Sequence, residues 1–236
     1  MCYSNSSTST TLQLAERYQK LVPGKPIEIQ HYFASGFEFP QWPIITKDAT
    51  IEQMRWGLLP HWFAAANWTA FAAKTLNARI ETCSEKASFK HLIQTKRCIV
   101  PSNGFFDWQA KGKHKIPFYI RSKEQEIFSI AGLFDTWLDP RTGIQLQTFT
   151  LLTTQANELM AQIHNVKQRM PVVLSAAEEQ AWLSGALTLA QITDRNKIQL
   201  EAWEIDKKII KGPQANTILV SKPNTNYFEK QMGLFD

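Results

Sequence analysis

The sequence predicts an α+β fold, a single domain built mainly on an antiparallel sheet or open barrel with several short flanking helices. Three observations carry this. Between Arg97 and Thr153 short apolar runs alternate with turn residues, Ser102-Asn103-Gly104, the tip around Gly112, and Asp139-Pro140-Arg141-Thr142-Gly143, the pattern of strands in a meander. Helix signals elsewhere are brief and capped, as in Ser175-Ala176-Ala177-Glu178. With 44% apolar and 11% aromatic content, 236 residues suffice for one sizeable core. The domain is expected over residues 1–226, with a tail at 227–236.

The elements follow in order. A short helix is expected over residues 11–21, stopped by Pro23-Gly24. Residues 27–33 read as a strand, and 35–43 as an aromatic loop stiffened by Pro40 and Pro43. Residues 51–59 alternate as a half-buried strand ended by Pro60, whereas 64–73 are too irregular to assign. In residues 76–81, Asn77, Arg79 and Glu81 alternate with apolar residues and so face one side of an extended segment. A helix is expected from the Thr82 capping box to about residue 95, and a buried strand at 97–101. Strands follow at 105–108, 116–121, 127–133 and 146–153, with the basic tip 109–115 joining the first two. Thr154 is expected to cap a helix to residue 163, with an apolar strand at 172–174 and a helix from Ser175 to Gly185. Residues 200–205 alternate as a strand, Lys207, Lys208 and Lys211 form a basic bend, and 217–220 suit a last edge strand.

Composition narrows the function. No apolar run approaches the roughly 18 residues of a membrane span, and the polar start lacks the core of a secretory signal. A cytoplasmic protein is expected. Cys2, Cys83 and Cys98 are an odd set without Cys-x-x-Cys spacing, which argues against a disulfide framework or a zinc site. A net charge of +5 suits a polyanionic partner.

Two places carry chemistry. Removal of Met1 would leave Cys2 as a 1,2-aminothiol, whose nitrogen attacks an aldehyde and whose sulfur then closes a five-membered thiazolidine. Asp107, between Phe106 and Trp108 in a strand, would be partly desolvated, which raises a carboxyl pKa and suits it to carry protons near neutral pH. His164, Lys167 and Arg169 add a cationic cluster.

Taken with Arg55-Trp56-Gly57-Leu58-Leu59-Pro60, Asn77-Ala78-Arg79-Ile80-Glu81, the run from Arg97 to Trp108, and His164 through Arg169-Met170-Pro171, Met1-Cys2 makes the sequence resemble the SRAP (SOS response-associated peptidase) family over nearly its whole length. The resemblance implies a DNA-damage and repair function: covalent crosslinking to abasic sites in single-stranded DNA, lyase-like, with a peptidase activity confined to self-processing. It implies Cys2 as the point of attachment, Asn77 as the group that orients amine and sugar, Asp107 where the family usually has glutamate, and an assisting His164. It further implies Arg79 and Arg169 on flanking phosphates, with Pro40, Trp68 and Trp108 contacting DNA. No cofactor or metal is implied, and the expected location is the nucleoid.

Three departures stand out. Tyr3-Ser4 follows Cys2 where the family commonly has Gly-Arg. Asp107 withdraws its carboxylate by about 1.5 Å relative to glutamate. His164 and Arg169 lie five positions apart rather than two. Rival readings are a non-covalent single-strand binding module, and a thiol hydrolase using Cys2 or Cys98 with His164. In the tail, Gln231, Leu234 and Phe235 resemble the peptide by which bacterial repair proteins dock on the replication sliding clamp.

Overall fold

A computed structural model describes residues 2–22, 24–25, 31–64, 67–195, 198–211 and 216–222. Its centre is a ring of strands. These are β3 (Gln41–Ile45), β4 (Ile51–Trp56), β6 (Arg97–Ser102), β9 (Phe128–Leu138) and β10 (Gln145–Gln155). β4 pairs with β3, β3 with β6, β6 with β9, β9 with β10, and β10 returns to β4, so the sheet closes on itself. All these pairings are antiparallel except β4 with β10. Closure removes the exposed edges that an open sheet would present.

β10 continues past the ring and holds two further strands. On one side it carries β5 (Asn77–Arg79) in parallel, and on the other β11 (Arg169–Pro171) antiparallel. β12 (Val173–Leu174) follows along β9. A second sheet has the order β13, β8, β7, β1, β2, made of Leu200–Glu204, His114–Ser122, Gly104–Lys111, Ser4–Ser7 and His31–Ser35.

Alternation along the strands serves two cores. Trp42, Met54, Trp56, Cys98, Val100 and Phe149 join Cys2, Phe105 and Ile120 of the second sheet in one cluster. Ile45, Ile51, Ile99, Ala131 and Leu133 face the other way, under α1 (Thr11–Tyr18) and α5 (Ala176–Ser184). Both helices are capped as their sequences require. Thr10 and Gln13 form a capping box for α1, Ser175 and Glu178 one for α5, and Gly185 ends α5 at φ 86°. Trp182 of α5 donates its indole N–H to the Cys98 carbonyl at 2.9 Å, and the Arg97 guanidinium lies over its ring at 4.3 Å. Leu14 and Tyr18 are buried as expected of a helix face, whereas Leu12 and Leu21 are exposed.

Several local expectations are corrected. Trp42 and Pro43 belong to β3 and are buried, with the Trp42 indole donating to the Pro101 carbonyl at 2.9 Å, so the aromatic loop shrinks to a 3-10 turn at Gly36–Glu38. Residues 82–91 form successive turns rather than a helix; only α3 (Leu92–Thr95) is helical. Bonds such as Glu85 N–H to Thr82 O and Phe89 N–H to Lys86 O span three residues, and the serines and Thr82 favour such local turns over a continuous ladder. Thr154 lies inside β10, its hydroxyl donating to the Thr193 carbonyl, and Asn157 caps α4 (Glu158–Ile163) instead. Lys207–Lys211 is helical, and Ile218–Ser221 is a 3-10 turn, not an edge strand. The irregular residues 64–73 contain the short α2 (Trp68–Ala72). The expected strand 27–33 lies partly outside the described residues, and the tail 227–236 wholly so.

Gly132 sits where β6, β9 and β10 meet, opposite Cys98 and Leu151. A Cβ there would stand 2.8 Å from the Thr150 carbonyl oxygen and 3.0 Å from Cys98 Sγ. The Thr150 oxygen is backbone and cannot swing aside. Gly132→Ala is therefore expected to destabilise the fold by about 1–3 kcal/mol, read as a lower urea midpoint at unchanged m-value.

Candidate functional site

The site begins with a buried strand made of polar residues. Ser4, Asn5, Ser6 and Ser7 form β1 and are 4%, 1%, 1% and 1% exposed. β1 runs between β2 and β7, with Ser4 opposite Ser35 and Phe106. Ser102 donates to Asn5 Oδ1 at 2.6 Å, Asn103 N–H to the Ser6 carbonyl at 2.9 Å, and Asn103 Oδ1 accepts from Thr8 N–H at 2.9 Å. Small polar side chains can be buried when partnered in this way. Continuing the register from Ser4 and Phe106 brings Tyr3 alongside Asp107.

Cys2 is 1% exposed, its Sγ 3.7 Å from the Ser4 carbonyl. Burial, with the Asp107 charge nearby, pushes the thiol up to about 12, so it is a thiol and not a thiolate at neutral pH. Asn77 Nδ2 donates to the Cys2 carbonyl at 2.8 Å. Its position comes from β10, where Leu151 pairs with Asn77, and from Trp56, whose indole holds the Leu76 carbonyl at 2.9 Å. Asn77 Oδ1 is buried with no hydrogen-bond partner among the described residues.

Asp107 is 5% exposed on β7. Its Oδ1 accepts the Trp108 N–H at 2.8 Å, and Oδ2 lies 3.8 Å from His164 Nδ1. Burial raises its pKa above the carboxylate range, partly opposed by His164. His164 ends α4, and burial lowers its pKa although Asp107 opposes this. The Arg169 N–H donates to His164 Nδ1 at 3.1 Å, and the Arg169 carbonyl is 3.0 Å from the same nitrogen. The neutral ring accepts from the amide; once protonated it can donate to that carbonyl or to Asp107. Tyr3, Asp107, Trp108, Ala110, Lys115, His164, Val166 and Lys167 line an open cavity of about 420 Å³.

The expected DNA contacts separate into groups. Trp108 joins this cavity. Arg79 is exposed one alternation beyond Asn77, beside a groove that also includes Lys74 and Lys86. Arg169 is buried and differently engaged: its guanidinium meets Glu81 through bonds of 2.7 and 2.9 Å and donates to the Thr153 carbonyl at 2.6 Å. In this arrangement a phosphate would compete with Glu81 for it. Trp68 has the Arg55 guanidinium 5.2 Å from its ring centre and Phe39 edge-on at 5.4 Å. Half-buried Pro40 accepts the Trp56 N–H at 3.0 Å, so Pro40 and Trp68 flank Phe39 apart from the cavity lining. Cys98, the alternative nucleophile, is fully buried, and burial drives its thiol pKa far up.

Sequence reasoning gave no site role to Tyr3, Lys115 or Val166. The pairing of Ala110 with Lys115 in the β7–β8 hairpin and the nearness of Tyr3 to Cys2 were the available signals. Among the described residues, no group of three His, Cys, Asp or Glu side chains could hold a metal ion, and no helix is long and apolar enough to cross a membrane.

The family model for SOS response associated peptidase (SRAP) proteins matches residues 1–211. The chain belongs to the SRAP family. Abasic site processing protein YoqW of Bacillus subtilis (strain 168) is 38% identical over 175 residues, 74% of this chain and 72% of that protein. Abasic site processing protein HMCES of Gallus gallus is 32% identical over 175 residues, covering 66% of this SRAP chain and 50% of its own. A crystal structure of a Bacteroides thetaiotaomicron protein superposes with a TM-score of 0.86 at 36% identity, covering 94% of this chain and all of that one.

Within this SRAP chain the Glu81–Arg169 pair ties β11 to the turn after β5. Burial alone would raise the Glu81 pKa, but the Arg169 hydrogen bonds outweigh it and hold the carboxyl below its ordinary range. The pair's stabilisation is thus present above the unfolded carboxyl pKa and lost as pH falls through the lowered one. Melting temperature followed by circular dichroism is expected to fall less steeply in Glu81→Gln than in wild type between about pH 5 and pH 3.

Proposed function

We propose that this protein processes abasic sites in single-stranded DNA by trapping them covalently on Cys2 once Met1 is removed. The observation that carries this reading is the 2.8 Å bond from Asn77 to the Cys2 carbonyl, beside a cavity lined by Asp107 and His164. The names of YoqW and HMCES, abasic site processing proteins, support abasic sites as the substrate.

The chemistry closes without a cofactor. The Cys2 amine adds to the C1′ aldehyde of the ring-opened sugar, and the resulting carbinolamine loses its hydroxyl with a proton as water to give an imine. The thiol then adds to the imine carbon, its proton leaving to a base and the imine nitrogen gaining one. The product is a thiazolidine and one water is released overall. A thiol with a pKa near 12 needs such a base. Neutral His164 suits that step, and Asp107, whose raised pKa lets it hold a proton, suits delivery to the departing hydroxyl. Asn77 fixes the Cys2 backbone, and its buried Oδ1 offers an acceptor to the amine. Arg79 supplies charge for flanking phosphates, with Trp68, Pro40 and Trp108 as candidates for contact with bases. The peptidase activity of the family name corresponds here to exposure of Cys2 itself.

Purified protein incubated with an oligonucleotide containing one abasic site is expected to give a band that survives a denaturing gel, with an intact mass equal to protein lacking Met1 plus DNA minus water. Cys2→Ala is expected to abolish it. Salt-sensitive binding without a surviving band, in protein whose mass shows Met1 absent, would favour the non-covalent module instead.

Asp107→Asn separates chemistry from folding. Asp107's raised pKa means that its stability contribution is greatest at acid pH and declines as pH rises through the folded pKa. The variant is therefore expected to melt no lower than wild type at pH 7, while crosslinking falls by about 10²–10⁴-fold in single-turnover assays.

A further inference from the structure

The cavity lined by Asp107 and His164 has at its wall one member of an aromatic pair that the proposed chemistry does not use. Tyr3 lines the cavity and meets Phe37 with ring centroids 5.1 Å apart and planes inclined at 36°. Phe37 is 54% exposed on the 3-10 turn Gly36–Glu38. Both ends of the contact are fixed by backbone. Gly36 donates to the Tyr3 carbonyl at 2.8 Å, Ser35 Oγ accepts the Phe37 N–H at 3.3 Å, and the Phe39 N–H returns to the Gly36 carbonyl at 3.1 Å. A large ring left half in water yet rigidly mounted is a surface ready for a flat apolar face, because little conformational freedom is lost when it is covered.

The surroundings specify what would cover it. Arg79 lies near enough to Tyr3 to affect its titration, and exposed Lys115 and Lys167 line the same cavity. Cations around an aromatic surface suit a single strand, whose phosphates are held by charge and whose bases stack. An abasic residue in the cavity has no base of its own, so the first ring able to reach the mouth belongs to a neighbouring nucleotide.

Resting on the DNA-binding reading above, we infer that Tyr3 and Phe37 form a stacking platform for the nucleobase adjacent to the abasic site. The platform reads the presence of a flanking base rather than its identity, because any base offers a π face. Tyr3 thereby gives this chain a flanking-nucleotide contact at the position where the family commonly has glycine.

The test uses a tetrahydrofuran abasic analogue, which cannot open to an aldehyde, so that binding is read without crosslinking. Fluorescence anisotropy would compare a labelled oligonucleotide having bases on both sides of the analogue with one having further tetrahydrofuran residues there. Wild type is expected to bind the first about 5- to 10-fold more tightly, and Tyr3→Ala and Phe37→Ala to lose most of that preference. Affinity of the variants for the base-free oligonucleotide is expected to remain at the wild-type value, a result that general unfolding would not give. Equal wild-type affinity for both oligonucleotides, equal losses on both in the variants, or an undiminished preference in both variants would each overturn the platform. The denaturing-gel assay with wild type tests the trapping reaction separately, so a covalent band without any flanking-base preference would remove this inference and leave the proposed function standing.

Discussion

The site depends on the insertion of β1 between β2 and β7. Four small polar residues are buried there, where an apolar strand would be the ordinary choice, and their fit relies on hydrogen bonds from Ser102 and Asn103. Backbone pairing on both edges leaves the strand little freedom to slide, since a slip of one residue would turn every side chain to the opposite face. Cys2 is consequently held at a fixed place beside Asp107, although it lies at the end of a chain where fraying is usual.

The closed ring supplies the other half. β10 is bonded to β9 and β4 within the ring, then to β5 and β11 beyond it. One strand therefore fixes Asn77 on one side and the start of β11, with Arg169, on the other. The His164 ring is joined to the Arg169 backbone, so both the Asn77 amide and the His164 ring trace back to β10. Gly132 and the close approach of Cys98 are part of the same crossing, which makes packing at the ring and geometry at the site a single problem.

Desolvation sets the electrical character of the cavity. It raises the Cys2 thiol and the Asp107 carboxyl and lowers His164, and each shift favours the uncharged form. Lys115 and Lys167 are exposed at the rim, where their charge remains hydrated. For the proposed reaction, a neutral interior with a cationic rim suits an uncharged aldehyde inside and phosphates outside. Arg169 belongs to neither zone: its bonds to Glu81 and Thr153 make it a tie within the fold.

Much of the fold was legible in the sequence. The meander, the capping box at Ser175, the strand at residues 200–204 and the alternation of Asn77 and Arg79 depend on local periodicity and side-chain chemistry, which neighbouring residues alone express. The family motifs were legible too, because they are contiguous strings. Local chemistry could not reveal that Ser4–Ser7 is a buried strand, since its burial rests on backbone pairing with β2 and β7 and on bonds from Ser102 and Asn103, all distant in sequence. Nor could it foresee that residues 82–91 stay as turns, or that Trp42 leaves the loop to pack in the core. The partners of Arg169 and Tyr3 were likewise hidden. An arginine becomes a tie or an open cation according to whether a carboxylate 88 positions away reaches it, and an aromatic ring at position 3 acquires a partner only when β2 brings Phe37 alongside. Sequence determined which chemical groups were available and which local shapes they prefer; closure of the strands decided which of those groups meet, because burial and partnership are properties of distant segments brought together.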